Sequence, residues 1–337
     1  MTQSTKVSIC VAQYNRADRI KSSIGSLLNQ AFDDFEVIVV DDGSPDPAVQ
    51  VELQKLSHER LTVVRQENTG FVGAMNHAIR LAKGEYIAIH GAGDISLPLR
   101  IKTQSEFLDK HSDVGLVSCL FDNVVMDGKY AGKRNSRPKP HVVTKDHLLA
   151  FDNPFSQGEV MFRKVLFDKV GGYREYFKYA QDRDLWLRMI DHTKMRIIQE
   201  KLYERGIFVT DGVAASIEKT MLQKYLASLA RDCYEQKLSG KGDLVEKYDV
   251  HAAFYRSPDP LLAKYFARQA VETMLRDNMP DALVQANYAI RERKTVYSVL
   301  AVIVINICRV TIVRKIIQRG IVTIYPNSAK KHKLEDN

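Results

Sequence analysis

Apolar residues in the first ninety positions fall into short unbroken runs, separated by stretches in which they recur at helical spacing. Residues 35–40 read FEVIVV, five apolar positions of six with three valines and one isoleucine, the pattern of a strand buried on both faces at the centre of a parallel sheet. Residues 7–11 are another apolar strand, and residues 61–65 and 86–90 a third and a fourth. Between them, residues 18–30 place Ile20, Ile24, Leu27 and Leu28 on one helical face, and residues 70–83 form a second helix. Strand alternating with helix predicts a doubly wound, mostly parallel sheet. Loops at the carboxyl ends of its strands then share one crevice.

Chemistry concentrates at those ends. The first strand runs into Tyr14, Asn15 and Arg16, the second into Asp41, Asp42, Gly43 and Ser44, and the fourth into Gly91, Ala92, Gly93 and Asp94. Gly43 permits a tight turn, and Pro45, Asp46 and Pro47 stop the strand and start a helix. Paired acids at a strand end suit either a ligand site or an acid-satisfied turn.

Five segments in order carry a resemblance: VSICVAQYNRADRIKSSIGSLLNQAFDDFEVIVVDDGS, ENTGFVGAMNHAIRLAKGEYIAI, GAGDISLPLRI, NPFSQGEVMFRK and GGYREYFKYAQDRDLWLRM. Together they resemble the family 2 glycosyltransferases of the GT-A fold over roughly residues 5–215. The resemblance implies an α/β GT-A fold, a mostly parallel central sheet with a Rossmann-like first half, followed here by a helical extension. It implies a nucleotide-diphospho-sugar donor, a UDP-sugar foremost. Ala12 to Arg16 would line the base pocket, with Tyr14 stacking on the base and Arg16 reaching the diphosphate. Asp42 would accept hydrogen bonds from the base or ribose, Asp41 would satisfy its turn, and Asn68 and Gly93 would complete the donor side.

Where the family carries a D-x-D-D run holding Mg2+ or Mn2+ on the diphosphate, this chain has Gly91 and Gly93, and only Asp94 remains as a metal ligand. Metal dependence is therefore in question, and no histidine follows Arg205 closely, where the family often completes the metal site. Arg16, Arg100, the turn's backbone N–H groups or a helix amino terminus near Leu97 are the other means of meeting leaving-group charge. Asp94 as the cap of that helix is the plainer alternative.

The family's second acidic pair reads Gln181 and Asp182 here, so the residue corresponding to the general base is kept. The resemblance implies that Asp182 takes the acceptor hydroxyl's proton in a direct, inverting displacement; the plain alternative is an acid favoured at a helix start. Trp186 and Arg188 would support that helix with Asp184. Trp186, the only tryptophan, suits core packing better than sugar stacking. Residues 153–163 resemble the acceptor-side segment, with Gln157 where a histidine is common.

From residue 214 the pattern is helical, with one stripe through Met221, Tyr225, Leu226, Leu229 and Tyr234 and a helical hairpin broken at Asn278 and Pro280. Residues 296–308 are then nearly all apolar, too few to span a bilayer. Residues 291–337 hold ten Lys or Arg against three acids, a net +7 of the chain's +8. That balance suits attachment to an anionic membrane surface, with burial against the core left open. The expected domains are 1–213, 214–294 and 295–337. Nucleic acid is excluded, because the charge sits in this tail without an aromatic platform.

The length of 337 residues and 45% hydrophobic content accommodate one α/β domain with a helical appendage. Four scattered cysteines imply a reducing compartment, and a first strand at Val7 leaves no room for a signal peptide. The combined expectation is an inverting glycosyltransferase, cytoplasmic and peripheral on the inner face of the cell membrane, acting on a lipid-linked saccharide in cell-surface polysaccharide synthesis. A non-catalytic nucleotide-sugar-binding subunit and a transferase to polyprenyl phosphate are the other readings.

Overall fold

The computed structural model describes residues 5–208, 216–311, 314–315 and 317. The chain divides into two compact units, Met1–Phe254 and Tyr255–Asn337.

The first unit opens with β1 (Val7–Gln13), α1 (Ala17–Leu28), β2 (Phe35–Asp42), α2 (Pro47–Gln54), β3 (Leu61–Gln66), α3 (Gly70–Leu81) and β4 (Tyr86–Gly91). Strands β3, β2, β1 and β4 lie side by side, all parallel. Alternate residues serve opposite faces, as the two-residue repeat of a strand demands. Cys10, Ile38, Val40 and Ile89 pack with Val72, Met75 and Ile79 of α3, whereas Ile9, Val11, Val37 and Val39 pack with Ile20, Ile24 and Leu27 of α1. Burial on both faces is why β1, β2 and β4 read as continuous apolar runs, whereas β3, at the sheet edge, has no buried position.

Beyond β4 come β5 (Ile95–Ser96), α4 (Arg100–Lys110), β6 (Val114–Val125), β7 (Arg134–Asn135), β8 (Val142–Val143), α5 (Lys145–Leu149), β9 (Met161–Arg163), α6 (Lys164–Lys169), α7 (Gln181–Met189) and β10 (Lys194–Ile207). Among the described residues the sheet has ten strands in the order β3-β2-β1-β4-β9-β6-β10-β5, with β7 on β6 and β8 on β10. Strand β9 runs antiparallel between β4 and β6, and β10 is parallel to β6 with register shifts between Ile198 and Tyr203.

Helix α8 (Ile217–Leu238) and helix α9 (Leu244–Tyr248) belong to the same unit. Leu226, Leu229, Cys233 and Tyr234 of α8, with Leu244 and Ala252, join the core that contains Trp186 and Phe162. Arg174 ties Asp184 of α7 to Asp243, the cap of α9. The division thus falls after Phe254, not after residue 213, because the apolar stripe of α8 is buried in the core of the first unit.

The second unit contains α10 (Pro260–Leu275), α11 (Met279–Glu292) and α12 (Val296–Ile307). The hairpin breaks as expected, with Asp277 left-handed at φ 61°, Asn278 capping α11 and Pro280 in its first turn. Helix α12 turns Ser298, Ala301 and Ile305 inward, while Val296, Leu300, Ile303 and Ile307 are exposed. Among the described residues no helix is long and apolar enough to cross a membrane. All four cysteines are free and buried.

Candidate active site

Three parallel strand ends converge. Ala12 lies beside Val40 on one side and Gly91 on the other, and Gln13 lies beside Asp41. Asp41 is buried, accepts from the Ser44 amide at 3.1 Å and pairs with Arg65 at 3.0 Å, so it satisfies its turn. Asp42 Oδ1 accepts from Gln66 Nε2 at 2.8 Å and the Thr69 amide at 2.9 Å, tying the strand end to the start of α3. Gly43 has φ 66°, and a Cβ there would sit 2.8 Å from the Asn68 amide nitrogen, so only glycine lets the two turns meet. Asn15 and Arg16 are both left-handed, at φ 55° and 58°, a strained pair of the kind found at ligand loops. Tyr14 beside them is half exposed. The Arg16 guanidinium donates to Ala92 O at 3.0 Å and stacks 3.9 Å over the Phe208 ring, bridging the first and third loops.

In the turn after β4 Asp94 does not cap α4, the plainer alternative. Asp94 folds inward: Oδ2 accepts from the Tyr203 hydroxyl at 2.6 Å and Oδ1 from the Gly206 amide at 2.8 Å. The same Tyr203 oxygen accepts from the Gly91 amide at 3.0 Å. A Cβ at Gly91 would overlap Asp94 Oδ2, and one at Gly158 would overlap the Tyr203 hydroxyl. The glycine at the first D-x-D position is thus the space into which Asp94 turns. Burial raises the Asp94 carboxyl to about 6, against the pull of Tyr203, Gly206 and Arg205.

Arg100 is no candidate for the leaving group. It is fully buried, donates to Ile89 O at 2.8 Å and lies 4.7 Å over the Tyr203 ring. Helix α4 begins at Arg100, whose amide donates to Leu97 O at 3.0 Å. Among the described residues no three His, Cys, Asp or Glu side chains come together as a cage for a cation. With both Asp94 oxygens engaged by the protein, these residues do not fit a tightly held metal ion.

Across the cleft, α7 starts from Ala180, left-handed at φ 57°, which aims Gln181 and Asp182 outward from a buried helix. Asp182 is half-buried, and its Oδ2 accepts from Asn153 Nδ2 at 2.8 Å. Burial raises its carboxyl above the ordinary range, while the first-turn amides and Arg183 and Arg205 draw it back. Gln181 Nε2 donates to Gln157 Oε1 at 2.9 Å, and Gln157 Nε2 donates to the Tyr173 hydroxyl at 2.8 Å. Arg188 grips Asp184 at 2.8 Å and Gly172 O at 2.7 Å, fixing the preceding loop to α7. Trp186 is fully buried and packs edge-on against Phe155 and Phe162, a core residue supporting α7 from beneath.

Asp182 faces a cavity of about 530 Å³ lined also by Phe71, Asn153, Gln157, Tyr179, Arg205 and Lys224. Arg205, which donates to Ser156 Oγ at 3.3 Å, acts electrostatically on both Asp94 and Asp182. Segment 157–158 also joins them, since Gln157 holds Gln181 while a Cβ at Gly158 would lie 3.0 Å from Asp94 Oδ2. The two carboxylates thus belong to one site. Tyr203 and Asn153 were not singled out in the sequence. Tyr203 lies in a strand whose polar interruptions hid it, and Asn153 carried no signal beyond its segment.

A parallel half sheet, completed by an antiparallel β9 and faced by a helix-borne carboxylate, is the architecture of the GT-A transferases. The chain belongs to glycosyl transferase family 2, whose family model matches residues 8–206, and it is a glycosyltransferase. EpsE of Bacillus subtilis, named as a glycosyltransferase, is 30% identical over 213 residues, covering 60% of this chain and 74% of EpsE. The O-antigen biosynthesis glycosyltransferase WbnJ of Escherichia coli is 28% identical over 187 residues, covering 55% of this chain and 72% of WbnJ. In structure the chain is similar to residues 1–349 of Staphylococcus aureus TarS in complex with UDP-GlcNAc. The TM-score is 0.54 at 17% identity, covering 85% of this chain and 88% of that one.

Proposed function

We propose that this chain transfers a sugar from a nucleotide-diphospho-sugar to an acceptor hydroxyl with inversion, in the synthesis of a cell-surface polysaccharide. The observation that carries the reading is the pairing of Asp94 and Asp182 on one cleft through Arg205 and segment 157–158. Tyr14, Asp42 and the turn at Gly93 take the nucleotide and Asp182 stands opposite. The acceptor hydroxyl gives its proton to Asp182 as its oxygen bonds to the anomeric carbon. The bond from that carbon to the diphosphate oxygen breaks on the other face, and the nucleoside diphosphate leaves with the electron pair. A carboxylate of raised proton affinity suits the base. The UDP-GlcNAc complex of the structural neighbour supports a UDP-sugar donor, and the O-antigen relative supports the polysaccharide. Proton NMR of the product formed from an α-linked donor tests the stereochemistry: a β-linkage is expected, and an α-linkage removes Asp182 from this role.

Leaving-group charge falls to Arg16 and backbone amides more than to a chelated ion, given the inward turn of Asp94. EDTA is therefore expected to lower the rate by less than about tenfold. Complete loss restored by manganese contradicts that assignment.

Attachment to an anionic membrane surface fits α12, whose Val296, Leu300, Ile303 and Ile307 form an exposed apolar stripe. Exposed Arg293, Lys294 and Arg309 lie at its ends. Leu300→Gln with Ile303→Gln leaves the inward Ala301 and Ile305 untouched. Flotation with phosphatidylglycerol vesicles is expected to lose most of the bound fraction in this variant. Equal binding by variant and wild type argues against the stripe as the anchor.

A further inference from the structure

A second cavity, of about 360 Å³, adjoins the one in front of Asp182 and shares Asn153, Phe155, Ser156 and Arg205 with it. Three cations line it, Arg137, Lys139 and Arg205, against one carboxylate, Asp152, with Asn123 and Asn135 on its wall. Neither the donor-binding loops nor the base makes use of it. Three separate stretches supply the cations and their frame: the loop between β7 and β8, the end of β10, and the segment between α5 and β9. Lys139 is held in place by a hydrogen bond to Pro154 O at 2.8 Å and lies 5.3 Å over the Phe121 ring. Burial lowers its pKa, and the Arg137 and Arg205 guanidiniums lower it further, against Glu159 and Asp152. Arg137 also acts on Lys224 in the neighbouring cavity, so the positive field extends across both.

We propose that Arg137, Lys139 and Arg205 form an anion subsite that receives a phosphate or diphosphate group of the acceptor. The inference rests on the transferase reading and adds the chemical class of the acceptor to it. Three cations line this cavity against a single carboxylate on its wall, and two guanidinium forks beside an ammonium match the oxygens of a phosphate. Because the subsite shares its wall with the Asp182 cavity, the bound phosphate positions the saccharide whose hydroxyl the base takes. A lipid diphosphate carrier and a phosphodiester-linked polymer both present this chemistry.

The test is calorimetric titration of the full chain, saturated with UDP, with inorganic pyrophosphate. Arg137→Gln, an exposed position, and Lys139→Gln are each expected to raise the pyrophosphate Kd about tenfold while UDP affinity stays within about twofold. Asp42→Ala is expected to weaken UDP alone. An unchanged pyrophosphate Kd in both cation variants overturns the subsite, as does a Kd that responds to Asp42→Ala instead, since the probe then reports the donor side. Displacement of pyrophosphate by a short-chain prenyl diphosphate, or by a lipid-free phosphodiester-linked oligosaccharide, supports the subsite and names its source. Displacement by neither overturns the acceptor role. The titration does not depend on turnover, so a failure of the inverting mechanism shows in product stereochemistry while pyrophosphate binding persists.

Discussion

Asp182→Asn is expected to lower kcat by about 10²–10⁴-fold while leaving UDP affinity within about twofold, because it removes a proton acceptor and little else. Asparagine is nearly isosteric and keeps an oxygen for the Asn153 amide that now contacts Oδ2. The residue lies across the cleft from the turns assigned to the nucleotide, so binding and chemistry separate. The same assignment fixes the sign of a pH effect. A base works when ionised, and burial raises the Asp182 carboxyl above the ordinary 3.8. The acid limb of kcat therefore falls at a higher pH than an exposed aspartate would give, and it vanishes in the asparagine variant. Isothermal titration with UDP and a rate profile from pH 4 to 8 measure both. An active asparagine variant with the wild-type acid limb places the base elsewhere.

Gly158→Ala is expected to destabilise the first unit by about 3 kcal/mol, measured by urea unfolding, and to reduce activity with it. Its Cβ would overlap the Tyr203 hydroxyl and lie 3.0 Å from Asp94 Oδ2. Neither group has anywhere to go: Tyr203 is 1% exposed, its oxygen accepts from the Gly91 amide, and it donates to Asp94. Displacing it strands a buried carboxylate and a backbone amide together. Gly25→Ala is the contrasting case. It lies in the middle of α1 with nothing within 4 Å of a new Cβ, and it is expected to stabilise by about 0.5–1 kcal/mol. Equal stability of the two variants would show that the Tyr203 site relaxes freely.

The parallel half of the sheet was legible because β1, β2 and β4 are buried on both faces, and unbroken apolar runs admit few other readings. Strands β6 and β10 were not, since Asp122 and Asn123 interrupt the first and Lys201, Glu204 and Arg205 the second, which also changes register midway. The direction taken by Asp94 depends on Tyr203, 109 residues away, and no local pattern encodes such a contact. Arg100 misled for a related reason. An arginine at a helix start reads as exposed, yet this one is enclosed with Gln104 and a strand carbonyl. Helical periodicity located α8 but not the face it would seek, so its docking on the transferase core shifted the domain boundary. The Gln181–Asp182 pair opens α7, the position on a helix that a short segment resembling the family had indicated.

The four enclosed thiols make the native chain a blank background for site-directed labelling. A cysteine introduced at half-exposed Tyr14 would be the sole target for a maleimide dye, and its emission would test in real time, without radiolabelled sugar, whether a nucleotide occupies the loops proposed for it.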